Sequence, residues 1–269
     1  MLRQRLATSV LIGVILAVTG GCGSERGPNG PSTTAADPVL STKSDPERVR
    51  SADVSILFVG NSHTTSFGLP ALVGDMIRFR DPRKTVYSHV VSVAFLEDVA
   101  SNPECREEIE SRPWKYVVLQ AQKESRSGKV KYSQTEGIEI AKLAKERGAS
   151  AVFCAEWGLQ NVAGHGSRIE AGYDEMAKAS GARVAPIGRA WDLALAERPE
   201  MPLYSPDGNH QSALGAFLTA SVLFGVLTGE SPASLADFPY EGASKADRKF
   251  LSATAANALA RSSANPKPR

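Results

Sequence analysis

Three residue types that together can activate a hydroxyl stand at two distant points of this chain. Ser62 follows the apolar run Val54 to Val59 and the dipeptide Gly60-Asn61. Asp207 and His210 stand near the other end, in the segment Asp207-Gly208-Asn209-His210. A serine hydroxyl is a poor nucleophile until a base takes its proton, and that base must itself be held in orientation. Asp207 and His210 are three positions apart, so the carboxylate can bond imidazole Nδ1 and leave Nε2 facing Ser62. That is the logic of a triad in the chain order Ser, Asp, His. The backbone N–H of Ser62, at a strand-to-helix turn, can point at a developing oxyanion. Side-chain amides of Gln120 or Gln122 are candidates for a second donor. Each residue also has a plainer role open to it. Ser62 can cap a helix, Asp207 can form the turn Pro206-Asp207-Gly208, His210 can cap the helix that follows, and Gln120 can be structural.

These groups converge only if the chain brings strand ends together. Five apolar runs read as strands: Val54 to Val59, Val86 to Val93, Tyr116 to Leu119, Ala151 to Cys154 and Val184 to Ile187. Runs that are apolar throughout, rather than alternating, suit parallel strands covered on both faces. Helix-like segments lie between and after them, at Leu69 to Arg80, Gln134 to Arg147, Ile169 to Ser180 and Ala213 to Leu227. The second of these closes on Gly148, a C-cap signal. Alternating β and α elements predict a three-layer α/β/α sandwich with a parallel sheet of about five strands. In such sheets the ligand crevice lies beyond the carboxyl ends of the strands. Asn61 and Ser62 follow the first strand there, Gln120 and Gln122 the third, Glu156 and Trp157 the fourth, and Gly188 the fifth.

Composition excludes several other classes. The 269 residues carry a formal charge of only +2 and 7% aromatics, and no Lys/Arg stripe offers a footprint for nucleic acid. His63, His89 and His165 lack metal-ligand spacing, so neither a metal nor a cofactor is expected. The first residues read as an address rather than as part of the fold. Arg3 and Arg5 precede the apolar stretch Leu6 to Val18, and Thr19-Gly20-Gly21 lead to Cys22. A basic start, a short apolar core and small residues make a secretory signal over 1–21. A Cys directly after the small residues resembles the bacterial lipoprotein signal, in which that Cys is acylated. Residues 22–50 are rich in Gly, Pro, Ser, Thr and Asp and read as a flexible tether, with one domain over 51–269. Membrane contact is expected through the lipid alone. The polar residues from about Ser262 read as a frayed tail. Cys105 and Cys154 can pair in an oxidising compartment, but Cys154 sits in an apolar run and reads as a core thiol.

The motifs carry a resemblance as well. FVGNSHT after a strand resembles the first block of the SGNH/GDSL hydrolase superfamily, and SPDGNHQSALGAFLTA resembles its last block. WKYVVLQAQ, APIGRAW and LTGESP are similar to a bacterial, often secreted subgroup, so that the likeness runs from about Val54 to Pro232. The resemblance implies a flavodoxin-like sheet, Ser62 as nucleophile, and Asp207 and His210 as acid and base. Two positions depart from the pattern. The Gly that usually follows the second strand as an oxyanion donor is replaced in SVAFLED by Val93 or Ala94, and the Asn after the third strand is missing, with Gln122 in its stead. Asn61, Ala94 and Trp157 are the expected substrate contacts, Trp157 by its place after the fourth strand, with a core position as its plainer role. The implied activity is hydrolysis of extracellular acyl esters, such as acetyl groups on polysaccharide, through an acyl-enzyme. An acyltransferase with the same triad, and a non-catalytic SGNH-like domain binding carbohydrate or a partner, are the alternatives.

Overall fold

Five parallel strands lie in the order β2-β1-β3-β4-β5: β1 Val54–Gly60, β2 Val86–Ser92, β3 Tyr116–Leu119, β4 Ser150–Cys154 and β5 Arg183–Ala185. The structure, a computed structural model, describes residues 43–99, 101–120 and 132–264. The predicted signal over 1–21, Cys22, the tether up to residue 42 and Gln122 lie outside the described residues. In chain order the helices are α1 Pro46–Ser51, α2 Ser62–Thr65, α3 Leu69–Arg80, α4 Pro103–Ser111, α5 Thr135–Glu146, α6 His165–Ser180, α7 Ile187–Glu197, α8 Ala213–Thr228 and α9 Lys245–Ala264.

The unbroken apolar runs have the physical reason expected of them. Along β1, Ile56 and Phe58 face one core with α3, α7, α8 and α9, while Leu57 and Val59 face the other with α4, α5 and α6. All four side chains are fully buried, which requires an apolar residue at every position rather than at every second one. The result is the three-layer α/β/α sandwich anticipated. Helix α8 is apolar all round because it is covered all round: it packs on α3, α7 and α9 beneath the sheet. No described helix is long and apolar enough to cross a membrane.

The structure corrects three boundaries and adds a helix. The predicted tether ends too late, because residues 43–50 already belong to the fold. Asp45 caps α1 by accepting from Glu47 N and Arg48 N, and Val49 is buried. The buried carboxylate of Glu108 accepts from Ser44 N at 2.9 Å and Ser44 Oγ at 2.5 Å. Only one apolar side chain anchors this segment, too few to register as a pattern. The fifth strand is shorter than predicted, since Pro186 has no N–H for the ladder and Ile187 already begins α7. Helix α9 was not anticipated, because its buried stripe of Leu251, Ala255 and Ala258 is made mostly of alanine. It also carries the chain in helical form to Ala264, past the expected onset of fraying. Cys105 and Cys154 are both buried and free. They belong to the two cores on opposite faces of the sheet, so the sheet itself keeps them from pairing.

Candidate active site

The turn that carries Ser62 is built where β1 ends. Gly60 is fixed by crowding, because a Cβ there would meet the Gln120 backbone oxygen at 2.7 Å and Gln120 Oε1 at 2.8 Å. Asn61 then caps α2, accepting from His63 N at 3.1 Å, while its Nδ2 donates to the Ala94 carbonyl at 3.1 Å. Gln120, buried at the end of β3, accepts from Thr64 Oγ1 at 2.7 Å and from Asn61 N at 3.4 Å. Its Nε2 is buried and cannot meet a substrate, so Gln120 is a support for the turn rather than an oxyanion donor.

Ser62 therefore opens α2 with its side chain exposed. Ser62 Oγ lies 2.8 Å from His210 Nε2, and His210 Nδ1 lies 2.5 Å from Asp207 Oδ2. The other carboxylate oxygen, Oδ1, accepts from Asn209 N and His210 N, both at 2.9 Å. Asp207 is thus turn former and imidazole holder at once. Its hydrogen bond from His210, then those from the Asn209 and His210 backbones, hold its carboxyl well below the usual carboxylate range. Two further bonds close the loop, from Ser205 N to His210 O at 2.8 Å and from Gly208 N to Ser205 O at 2.9 Å. Gly208 takes φ +66°, the left-handed conformation glycine adopts without strain. The N-cap of α8 is Ser212, so His210 is free of that task.

The ladder between β1 and β2 decides which N–H could serve as a second oxyanion donor. Val93 N donates to Gly60 O at 3.0 Å and is spent. Ala94 is the next residue. Among the described residues neither its N–H nor that of Ser62 has a hydrogen-bond partner. Trp157 departs from expectation. It is only 4% exposed, stacks on Trp191 with centroids 4.6 Å apart, and donates from Nε1 to Asn209 O at 2.9 Å. It braces the His210 loop from below and is not a pocket wall. Glu156 is buried and accepts from the Tyr173 hydroxyl. Asn61, expected at the substrate, spends its side chain on the turn and on Ala94.

His63 is the residue that sequence reasoning passed over. Its ring lies 4.7 Å from Trp157 and meets His210 edge-on at 5.2 Å. Burial, with the charge of His210, pushes it down to about 4. The signal was in plain view, as the neighbour of Ser62, but adjacency to a nucleophile does not reveal where a side chain turns. Among the described residues no group of three or more His, Cys, Asp or Glu is placed to hold a metal.

Against solved structures, the chain is similar to a protein of Slackia heliotrinireducens named as an SGNH hydrolase, at 21% identity and a TM-score of 0.52, over 64% of this chain and 97% of that one. The fold is that of the SGNH/GDSL hydrolases. A DUF4886 family protein from Bacteroides uniformis shares this SGNH fold at 16% identity and a TM-score of 0.57, over 77% of this chain and 95% of its own. An acetyl xylan esterase, AlAXEase, does so at 10% identity and a TM-score of 0.50, over 65% and 100%. No protein-family model and no curated protein sequence matches the chain.

Proposed function

We propose that the protein is a serine ester hydrolase that removes small acyl groups, acetyl above all, from carbohydrate esters. One observation carries the reading: the continuous chain of contacts from Ser62 Oγ through His210 to Asp207, at 2.8 Å and 2.5 Å. The Ser62 proton passes to His210 Nε2 as Oγ attacks the ester carbonyl. The Ser62 and Ala94 N–H groups are the donors available to the oxyanion. Collapse of the tetrahedral adduct expels the alkoxide, which takes the proton from His210 and leaves as an alcohol. Water then gives a proton to His210 and attacks the acyl-enzyme, releasing the acid and restoring Ser62. No cofactor takes part in these steps.

Substrate class rests on the surroundings of the triad. A shallow, open depression beside Asp207 is bounded by Leu159–Val162 and Pro206–Gly208, and neither Ser62 nor His210 lines it. The amides of Gln160 and Asn161 suit hydroxyl-rich ligands. One solved neighbour is named for acetyl xylan, which fits the same reading. Ser62 opens to solvent, so water reaches the acyl-enzyme, which favours hydrolysis over transfer to a sugar. The Ala94 N–H, unbonded among the described residues, supports the catalytic reading over the non-catalytic one by offering a donor where the usual Gly is missing.

Hydrolysis of p-nitrophenyl acetate by the wild-type domain beside His210→Ala tests the activity. The expected result is turnover lost in the variant; equal rates in both would sink the esterase reading. Export and a lipid on Cys22 belong to the same proposal, carried by the signal-like first residues. Cys22→Ser should move the protein from the membrane fraction to the soluble one in a bacterial host. Unchanged membrane association would refute the anchor.

A further inference from the structure

We propose that His63 is a positioning residue that grips Asn209 and so keeps His210 aimed at Ser62. Asn209 precedes His210 in the chain and is held at both ends. Its side-chain Nδ2 lies 3.2 Å from His63 Nε2, and its carbonyl accepts from Trp157 Nε1 at 2.9 Å. An amide NH₂ can only donate, so His63 Nε2 accepts and the ring is neutral, with its proton on Nδ1. The bond ties the histidine loop to the residue next to the nucleophile, across 146 positions of sequence. Position 210 and position 62 thereby move together. Two groups bear on the charge of His63: His210 opposes its protonation, Asp207 favours it, and burial outweighs both. The acceptor therefore survives at pH values above about 4.

A purely structural role does not account for this residue. His63 Nδ1 is buried with no partner, and an unpaired buried N–H costs stability. Phenylalanine would fill the same slot, tilted 4.7 Å from Trp157 and edge-on 5.2 Å from His210, without that cost. What phenylalanine lacks is the acceptor for Asn209.

The test compares His63→Phe, which keeps the ring and loses the acceptor, with His63→Gln, which places an oxygen near the site of Nε2. Its kinetic arm rests on the esterase reading; its spectroscopic arm does not. The arms are kcat and KM for p-nitrophenyl acetate, and the low-field proton resonance of His210 Nδ1–H in the resting protein. In His63→Phe, kcat should fall on the order of tenfold to a hundredfold, the scale for a displaced catalytic group. KM and the melting temperature should hold or improve, and the resonance should broaden. His63→Gln should recover most of kcat and a sharp resonance. Wild-type kcat and a sharp resonance in His63→Phe would overturn the assignment. Should wild-type hydrolysis not exceed that of Ser62→Ala, the esterase reading falls and the resonance alone decides. Broadening in Phe with sharpness in Gln then upholds the positioning role, and no change in either overturns it.

Discussion

Ser62→Ala should lower kcat for p-nitrophenyl acetate by about a millionfold, the scale seen when a triad nucleophile is removed, while leaving stability within about 0.5 kcal/mol of wild type. The two halves of this expectation have separate causes. Ser62 opens α2, but the cap of that helix is Asn61, whose side chain accepts from His63 N at 3.1 Å. The Ser62 side chain is exposed and bonded to His210 alone. Removing Oγ therefore orphans no buried group and opens no cavity. The backbone contacts of the turn, from Thr64 N to Asn61 O and from the Ser66 hydroxyl to Ser62 O, do not involve the Ser62 side chain. Activity and melting temperature measured on one preparation would check both. Retained turnover would remove Ser62 as nucleophile, and a large fall in melting temperature would show that the turn depends on the hydroxyl.

The same separation of chemistry from scaffolding explains how much of the molecule could be read in advance. Strands β1 and β3 and helix α3 were predicted to within a residue, because each stands as an uninterrupted apolar run or a strong 3.6 period. The meeting of Ser62, Asp207 and His210 was legible because a carboxylate three residues before an imidazole can hold that ring toward a hydroxyl at a strand end. Helix α4 was illegible for the opposite reason: Pro103–Ser111 is mostly charged, and its buried face is Cys105, Glu108 and Ile109. Glu108 there serves as the buried acceptor for Ser44, so a carboxylate occupies a core position and erases the pattern. The choice between Val93 and Ala94 turned on the last hydrogen bond of the β1–β2 ladder, which spacing does not reveal. Trp157 and His63 were misjudged or missed because residues at a strand end can face the crevice or brace its floor. Only packing decides which, and here the tilted contact of His63 with Trp157, itself stacked on Trp191, decides for the floor.

Asp207→Asn should cost about ten-thousandfold in kcat/KM, the scale reported when a triad carboxylate becomes an amide, and the loss has a tautomeric origin. In the wild type Oδ2 accepts the Nδ1 proton of His210 at 2.5 Å while Oδ1 accepts from two backbone N–H groups. An asparagine keeps one oxygen. If that oxygen stays with the backbone pair, the amide NH₂ faces Nδ1, which must then accept, and the proton moves to Nε2. Nε2–H cannot take a proton from Ser62. If the side chain turns over instead, the imidazole keeps its tautomer but Asn209 N and His210 N meet a donor. The loop then loses the bonds that place His210. Either arrangement disables the base, and melting temperature separates them: the first leaves it near wild type, the second lowers it. The charge adds a pH signature. A carboxylate held below its ordinary 3.8 stabilises the fold above that pH, and its contribution is lost as pH falls further and the folded form takes up the proton. His63 acts in a different window: with its folded value pushed down from 6.5 to about 4, the unfolded chain binds the proton first, and stability falls as pH drops from 6.5 toward 4. Urea unfolding of Asp207→Asn across this range should therefore keep the decline between pH 6.5 and 4 and show a shallower one below 3.8. A pH profile of stability that matches wild type throughout would mean that Asp207 is not the charged partner of His210 in solution.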